Sequence, residues 1–184
     1  MKIAKTLALI FTAFIIITFA SYAYFGGLTK VDVAVLPQGG ELIVYESHTG
    51  DYAKTKEIMD RIYYDLRDSF KIETTKGIGV YYDDPKKVEK SKLRFEAGEV
   101  LENVTQEQIE SLKKKYKVRT IPKGDYIVAE FPFKGIPSVI VGIMKVYPAF
   151  AAYLEERGLN PPHPSLEIYD MPAKKTTYKI MVSE

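Results

Sequence analysis

Two short stretches combine residue types that can hold a ligand or move a proton. Gly79–Pro85 reads GVYYDDP and Leu166–Pro172 reads LEIYDMP. Aligned on their prolines, Tyr82 matches Tyr169, Asp83 matches Asp170, and Val80 matches Glu167. Side chains in a strand alternate between faces. Leu166 and Ile168 therefore share one face, and Glu167 and Tyr169 share the other. The apolar pair is expected to meet a helix layer. Glu167 and Tyr169 are then expected to look into a groove on the far side, opposite Val80 and Tyr82 from the first copy. Two tyrosines, one carboxylate and apolar walls suit a flat organic cation, because aromatic faces attract cations and a desolvated carboxylate supplies the counter-charge. The same carboxylate, its pKa raised by burial, could exchange a proton. Glu167 and Tyr169 would then be the catalytic pair of an enzyme. The plain alternative for Glu167 is a strand-end residue paired with one of the 26 Lys and Arg. Tyr81 reads as sheet packing. Asp83-Asp84-Pro85 reads as a turn, since Asp favours the first turn position and Pro fixes φ.

Other chemistries find little support. The chain has no Cys, which removes disulfides and thiolate metal sites. Its two histidines, His48 and His163, cannot form an all-histidine zinc site, and His163, set among prolines in PPHP, reads as exposed. No nucleophile elbow or phosphate-binding glycine loop occurs. Neither a metal site nor a cofactor is expected. A net charge of +2 and a pI near 8.5 are too balanced to argue for nucleic acid. The Lys113–Lys115 run ends a short helix, where it suits the macrodipole.

The elements that must position these residues fall into two similar halves. Glu41–Ser47 (ELIVYES) reads as a strand. Ile58, Ile62, Leu66 and Phe70 recur every four residues within Asp51–Phe70 and form one helical stripe. Gly77–Tyr82 and Leu93–Leu101 read as two further strands. Thr105 with Gln108 makes a capping box for the connecting helix over 104–116. In the second half, Val118–Phe133 reads as one or two strands around the turn Pro122–Asp125. Ile136–Arg157 reads as helical, with Pro137 in its first turn and Gly158 at its stop. Pro148 inside it predicts a kink or two abutting helices. Leu166–Tyr169 and Thr177–Val182 close the chain as strands. The spacing from Gly50 to Gly135 matches that from Pro85 to Pro172 within two residues. The fold class expected is α+β: duplicated β-α-β-β modules (41–102 and 118–183) related by a pseudo-twofold, with helices on one face of the sheet.

The N-terminus differs in kind. No charge occurs between Lys5 and Lys30. About 20 apolar residues suffice for a transmembrane helix, and Tyr22, Tyr24 and Phe25 resemble an interfacial aromatic belt. Residues 1–29 read as a membrane anchor crossing through residues 7–25, or as a signal peptide with Ser21-Tyr22-Ala23 as its small-x-small site. Residues 30–40 read as a linker or a first edge strand. Lys2 and Lys5 place the N-terminus in the cytoplasm by the positive-inside rule, which sends the following domain to the extracytoplasmic side of a single-pass membrane protein.

GVYYDDP, the Gly124-Asp125-Tyr126 corner, and LEIYDMP followed by TYKIMV together resemble the GyrI-like domain superfamily. That superfamily includes gyrase-inhibitory proteins and the effector-binding domains of multidrug regulators. The resemblance covers about residues 41–182 of an expected domain at 41–184, and implies two β-α-β-β modules with a small-molecule groove between them. It also implies that Glu167 stands where family members contact cationic ligands. Some relatives hydrolyse strained electrophiles with a groove glutamate, so the resemblance supports binding or hydrolysis. With the apolar N-terminus, YPAFAAYLEERGL and SLEIY, the chain resembles a membrane-anchored branch of the family that serves animal cells in ER-phagy. Glu184 follows the last expected strand directly, so the tail-borne role of that branch is not carried over. The leading expectation is a membrane-anchored domain that binds a small amphipathic or cationic ligand through Glu167, Tyr169, Tyr82 and Val80. A hydrolase, or an adaptor holding a protein partner at the membrane, are the alternatives.

Overall fold

The computed structural model describes residues 2–159 and 164–183, and His163 lies outside them. The first helix, α1, runs Lys2–Tyr24, without a Gly or Pro to break it. Its span Ile3–Tyr24 has a mean hydropathy of 2.2 and none of it is buried. Length and apolarity alone fit either a membrane span or a signal sequence.

The remainder is built on one eight-stranded antiparallel sheet. In chain order its strands are β1 (Ala34–Gln38), β2 (Leu42–Thr49), β3 (Lys76–Tyr81), β4 (Arg94–Leu101), β5 (Lys117–Thr120), β6 (Gly124–Pro132), β7 (Ser165–Asp170) and β8 (Lys175–Ser183). Their spatial order is β1-β6-β8-β7-β3-β4-β2-β5. Helix α2 (Thr55–Asp65) lies between β2 and β3, α3 (Gln106–Lys113) between β4 and β5, and α4 (Ile136–Arg157) between β6 and β7. The fold is thus a pair of β-α-β-β modules, joined where β3 pairs antiparallel with β7.

Local chemistry explains each helix. Asp51 caps the turn leading into α2 by accepting from Ala53 N at 3.0 Å. Ile58, Met59 and Ile62 form the buried stripe of α2, and Leu66 continues it just beyond. Thr105 and Gln108 make the reciprocal capping box of α3. Gly158 ends α4 in the left-handed region. Pro148 does not divide α4, which runs as one helix from Ile136 to Arg157.

Of the two readings for residues 30–40, a strand forms, and its partner is unexpected. β1 precedes the first module but pairs with β6 of the second, while β5 precedes the second and pairs with β2 of the first. The two connections cross. Gly40 N donates to Ile121 O, and Ile121 N donates to Glu41 O, each at 2.8 Å. Gly39, at φ 92°, leaves no room for a side chain: a Cβ there would sit 1.9 Å from Pro122 O.

This crossing pulls the sheet round on itself, so both faces of its central strands are buried. The helix side carries Val44, Phe95, Ala97 and Leu101 under α2, and Ile127, Ala129, Phe131 and Tyr178 under α4. The other side closes over its own core of Ile43, Tyr45, Ile78, Val80, Tyr126, Leu166 and Ile168. Leu166 and Ile168 therefore pack away from the helices, and Glu167 and Tyr169 face them. This reverses the orientation expected from alternation. A period of two groups residues by face, but it cannot say which face meets the helices when both are buried.

Candidate functional site: a buried carboxylate under α4

Glu167 sits in the middle of β7, opposite Gly79 of β3 and Tyr178 of β8. It is 2% exposed. The phenol of Tyr169, two residues along the same face, donates to Oε2 at 2.5 Å. The phenol of Tyr147, reaching down from α4, donates to Oε1 at 2.8 Å. Tyr147 also lies 3.2 Å from Ser165 Oγ. No Lys, Arg or His within 4.0 Å pairs with Glu167 among the described residues. Burial raises the Glu167 pKa above the ordinary carboxylate range, and the two phenol hydrogen bonds offset this only in part. Burial also drives the phenols of Tyr147 and Tyr169 well above their usual range, with the neighbouring Glu167 charge adding to it.

Aromatic rings surround this carboxylate. Tyr147 meets Tyr178 edge-on at 6.0 Å, and Phe133 meets Tyr169 at 6.0 Å. Burial and the Glu167 charge raise the Tyr81 and Tyr178 phenols too. The Tyr178 hydroxyl is buried without a hydrogen-bond partner among the described residues. Small residues make room: a Cβ on Gly79 would meet the Tyr81 hydroxyl at 2.6 Å, and one on Gly142 of α4 would meet the Tyr178 hydroxyl at 2.5 Å. The cluster can therefore do two things. It can accept a proton at Glu167, or offer that carboxylate to a cation among aromatic faces.

The structure brings Glu167 and Tyr169 together and sets Val80 and Tyr82 on the opposite face of the sheet. Val80 packs in the helix-free core, with Tyr82 against it. The proline alignment is one residue out of phase with the faces. Tyr81, read from sequence as sheet packing, is the first-half tyrosine on the Glu167 side. Tyr147 and Tyr81 were missed. Two strand glycines, Gly77 and Gly79, were the available signal, since a glycine inside a strand marks a close approach. The aspartates do serve as turn formers. Asp84 Oδ1 accepts from Lys86 N, and Asp170 Oδ1 accepts from Ala173 N. His48 contacts Glu46 at 3.0 Å. No group of three or more Asp, Glu, His or Cys able to hold a metal occurs among the described residues.

Open space lies on the other face. A cleft of about 570 Å³ is lined by charges of both signs, including Lys76, Glu102, Asp170 and Lys175. A smaller one, about 270 Å³, adjoins Tyr82, His48 and Glu96. Glu167 borders neither.

A duplicated β-α-β-β sheet with a polar cluster at its centre defines a class. The chain belongs to the GyrI-like family, described as a small molecule binding domain, whose profile matches residues 40–183. Among curated proteins it is similar to testis-expressed protein 264 of Homo sapiens, 30% identical over 168 residues, 86% of this chain and 51% of the relative. The chain spans about half the length of the curated relatives it matches. Among solved structures, the C-terminal domain of EcmrR aligns with a TM-score of 0.59 at 10% identity, covering 84% of this chain and 98% of that one. SAV2435 bound to tetraphenylphosphonium aligns with a TM-score of 0.56 at 14% identity, covering 83% and 94%.

Proposed function

We propose that this GyrI-like domain binds a lipophilic organic cation at Glu167 while tethered to a membrane by Ile3–Tyr24, with the domain on the extracytoplasmic side. One observation carries the ligand reading: a buried carboxylate that has phenols for partners and no cation among the described residues. A carboxylate without a counter-ion is costly in a low-dielectric interior. A cation with an apolar surface would supply the charge, and the rings of Tyr81, Tyr147, Tyr169 and Tyr178 would supply its contacts. The ligand named with the SAV2435 structure has that chemistry. Tyr147 fills the approach from α4, so binding requires its side chain to swing away from Glu167.

Titration of the full chain in nanodiscs with tetraphenylphosphonium tests this, with a Glu167→Gln variant in matched nanodiscs to cancel partitioning into lipid. Glu167→Gln is expected to weaken binding at least ~10-fold, equivalent to about 1.4 kcal/mol. Equal affinity for both proteins would remove Glu167 from the site. The same preparation resolves the other readings of the site. Turnover of strained electrophiles, abolished by Glu167→Gln, would make Glu167 a general acid or base with Tyr169 beside it. A bound protein partner indifferent to Glu167→Gln would make the domain an adaptor.

A further inference from the structure

The two modules offer an internal comparison of helices in equivalent places. The outer face of α2 carries Lys56, Glu57, Asp60 and Arg61, as expected of a helix facing water. The outer face of α4 is apolar: Ile136 is 55% exposed, Ile140 55%, Ile143 41% and Met144 68%. From Ile136 to Leu154 the single charge is Lys145. That charge is turned off the outer face, since Lys145 Nζ donates to Gly27 O at 2.6 Å and to Thr29 O at 2.5 Å.

Those two carbonyls lie just past the end of α1. Lys134, immediately before α4, donates to Tyr24 O at 2.7 Å and sits 4.4 Å from the Tyr24 ring centroid. Gly26 packs against Phe131 so closely that a Cβ there would be 2.8 Å from the ring. The chain leaving α1 is thus clamped along α4. Leu28, in that connection, is itself 66% exposed. The end of an apolar helix is thus held beside the helix that carries the uncharged face.

We propose that the outer face of α4 docks onto the lipid bilayer, with Ile136, Ile140, Ile143 and Met144 entering the headgroup–acyl boundary. This rests on α1 being a membrane anchor. An anchor fastened to α4 by Lys134 and Lys145 holds that helix at the membrane surface. An apolar face at that level gains by leaving water, as interfacial helices do. The aromatic residues Tyr22 and Tyr24 mark the same level at the end of α1. Tyr147, which covers Glu167, lies one turn from Ile143 on this helix, so the ligand site of the proposed function would sit just beneath the docked face.

The chain has no Cys, so a single introduced thiol reports one position. Ile10→Cys in α1, Met144→Cys on α4 and Lys56→Cys on α2 would each be labelled with a nitrobenzoxadiazole dye. The full chain would be reconstituted in phosphatidylcholine vesicles, with iodide on both sides in one series and doxyl-labelled lipid in another. The expected result is strong doxyl quenching and weak iodide quenching at 10 and at 144, and the reverse at 56. Iodide access at 144 equal to that at 56, with 10 still lipid-quenched, would overturn the docking while leaving the anchor in place. Protection of 144 from both quenchers would also overturn it, in favour of a protein or a second copy on that face. Iodide access at 10 would overturn the anchor itself. As a check free of a label at 144, Ile140→Glu with Met144→Glu is expected to expose a dye at Ile143→Cys to iodide several-fold more, with position 10 unchanged. No change at 143 would count against docking.

Discussion

The two faces of the sheet treat buried carboxylates in opposite ways. On the helix-free face, half-buried Glu41 accepts from the fully buried Lys179 at 2.5 Å, and buried Glu96 accepts from Arg119 at 2.7 Å. On the helix face, Glu167 has two phenols, and Glu99, 5% exposed, has no cation among its charge partners. The helix-free face neutralises both of these, whereas the helix face pairs only its half-buried Glu46, with Arg61 of α2, and leaves the two deeper carboxylates short of positive charge. A buried anion left short is an expense that a structural core avoids and a binding site can use. This difference separates a stabilising surface from a candidate site more sharply than cavity volume does, because the open clefts lie on the neutralised face.

Removing the cation on the neutralised face should have the largest effect. Lys179→Met would leave Glu41 without its partner and is expected to cost ~3–5 kcal/mol in denaturant unfolding. A cost below that of an exposed ion pair would mean that the two faces do not differ.

Tyr147→Phe tests whether the phenols stand in for a cation at Glu167. A hydrogen bond to a charged group contributes ~1.5–3 kcal/mol, so a loss of about that size is expected at pH 8. Because the Tyr147 bond favours the ionised carboxylate, the loss should shrink as pH falls and Glu167 takes up a proton. A pH-independent loss would assign Tyr147 to packing alone.

Glu99 offers a purely electrostatic case. Burial, with the Asp60 charge adding, pushes it up to about 7. A carboxyl raised in the folded state binds more protons folded than unfolded between its ordinary value and 7. Stability from this group is therefore present at low pH and lost as pH rises through that window. Glu99→Gln, which cannot ionise, is expected to be more stable than the parent by about 3 kcal/mol at pH 8 and nearly equal at pH 4. A gain that does not depend on pH would mean that Glu99 does not titrate in that window.

Much of the fold was legible because its signals are local. The four-residue recurrence of Ile58, Ile62 and Leu66 marks the buried stripe that begins in α2 and runs one turn past it. Thr105 and Gln108 cap α3 as their spacing requires, and Gly135 and Gly158 bracket α4. The duplication was visible in the order of elements. Glu167 and Tyr169 could be paired because alternate residues share a face. Tyr82 and Val80 were drawn to the same side by aligning prolines, and the corner they belong to is offset by one residue. A one-residue shift reverses every face. Tyr147 escaped notice because an isolated tyrosine on an apolar helix looks like core until its hydroxyl is seen to have a partner.

By itself, then, the sequence determined the two modules, the positions of their helices, the apolar N-terminal segment and the carboxylate at position 167. Each depends on periodicity, capping or composition within a short window. Tertiary structure alone decided that β1 and β5 exchange modules, and hence that the sheet curls until both faces of its central strands are buried. Only that curl tells which face meets the helices. It gives Glu41 and Glu96 their cations, and it leaves Glu167 beneath α4 with Tyr147 and Tyr169. Pairings between residues far apart in the chain carry no local signature, and here those pairings set the charge balance at each carboxylate.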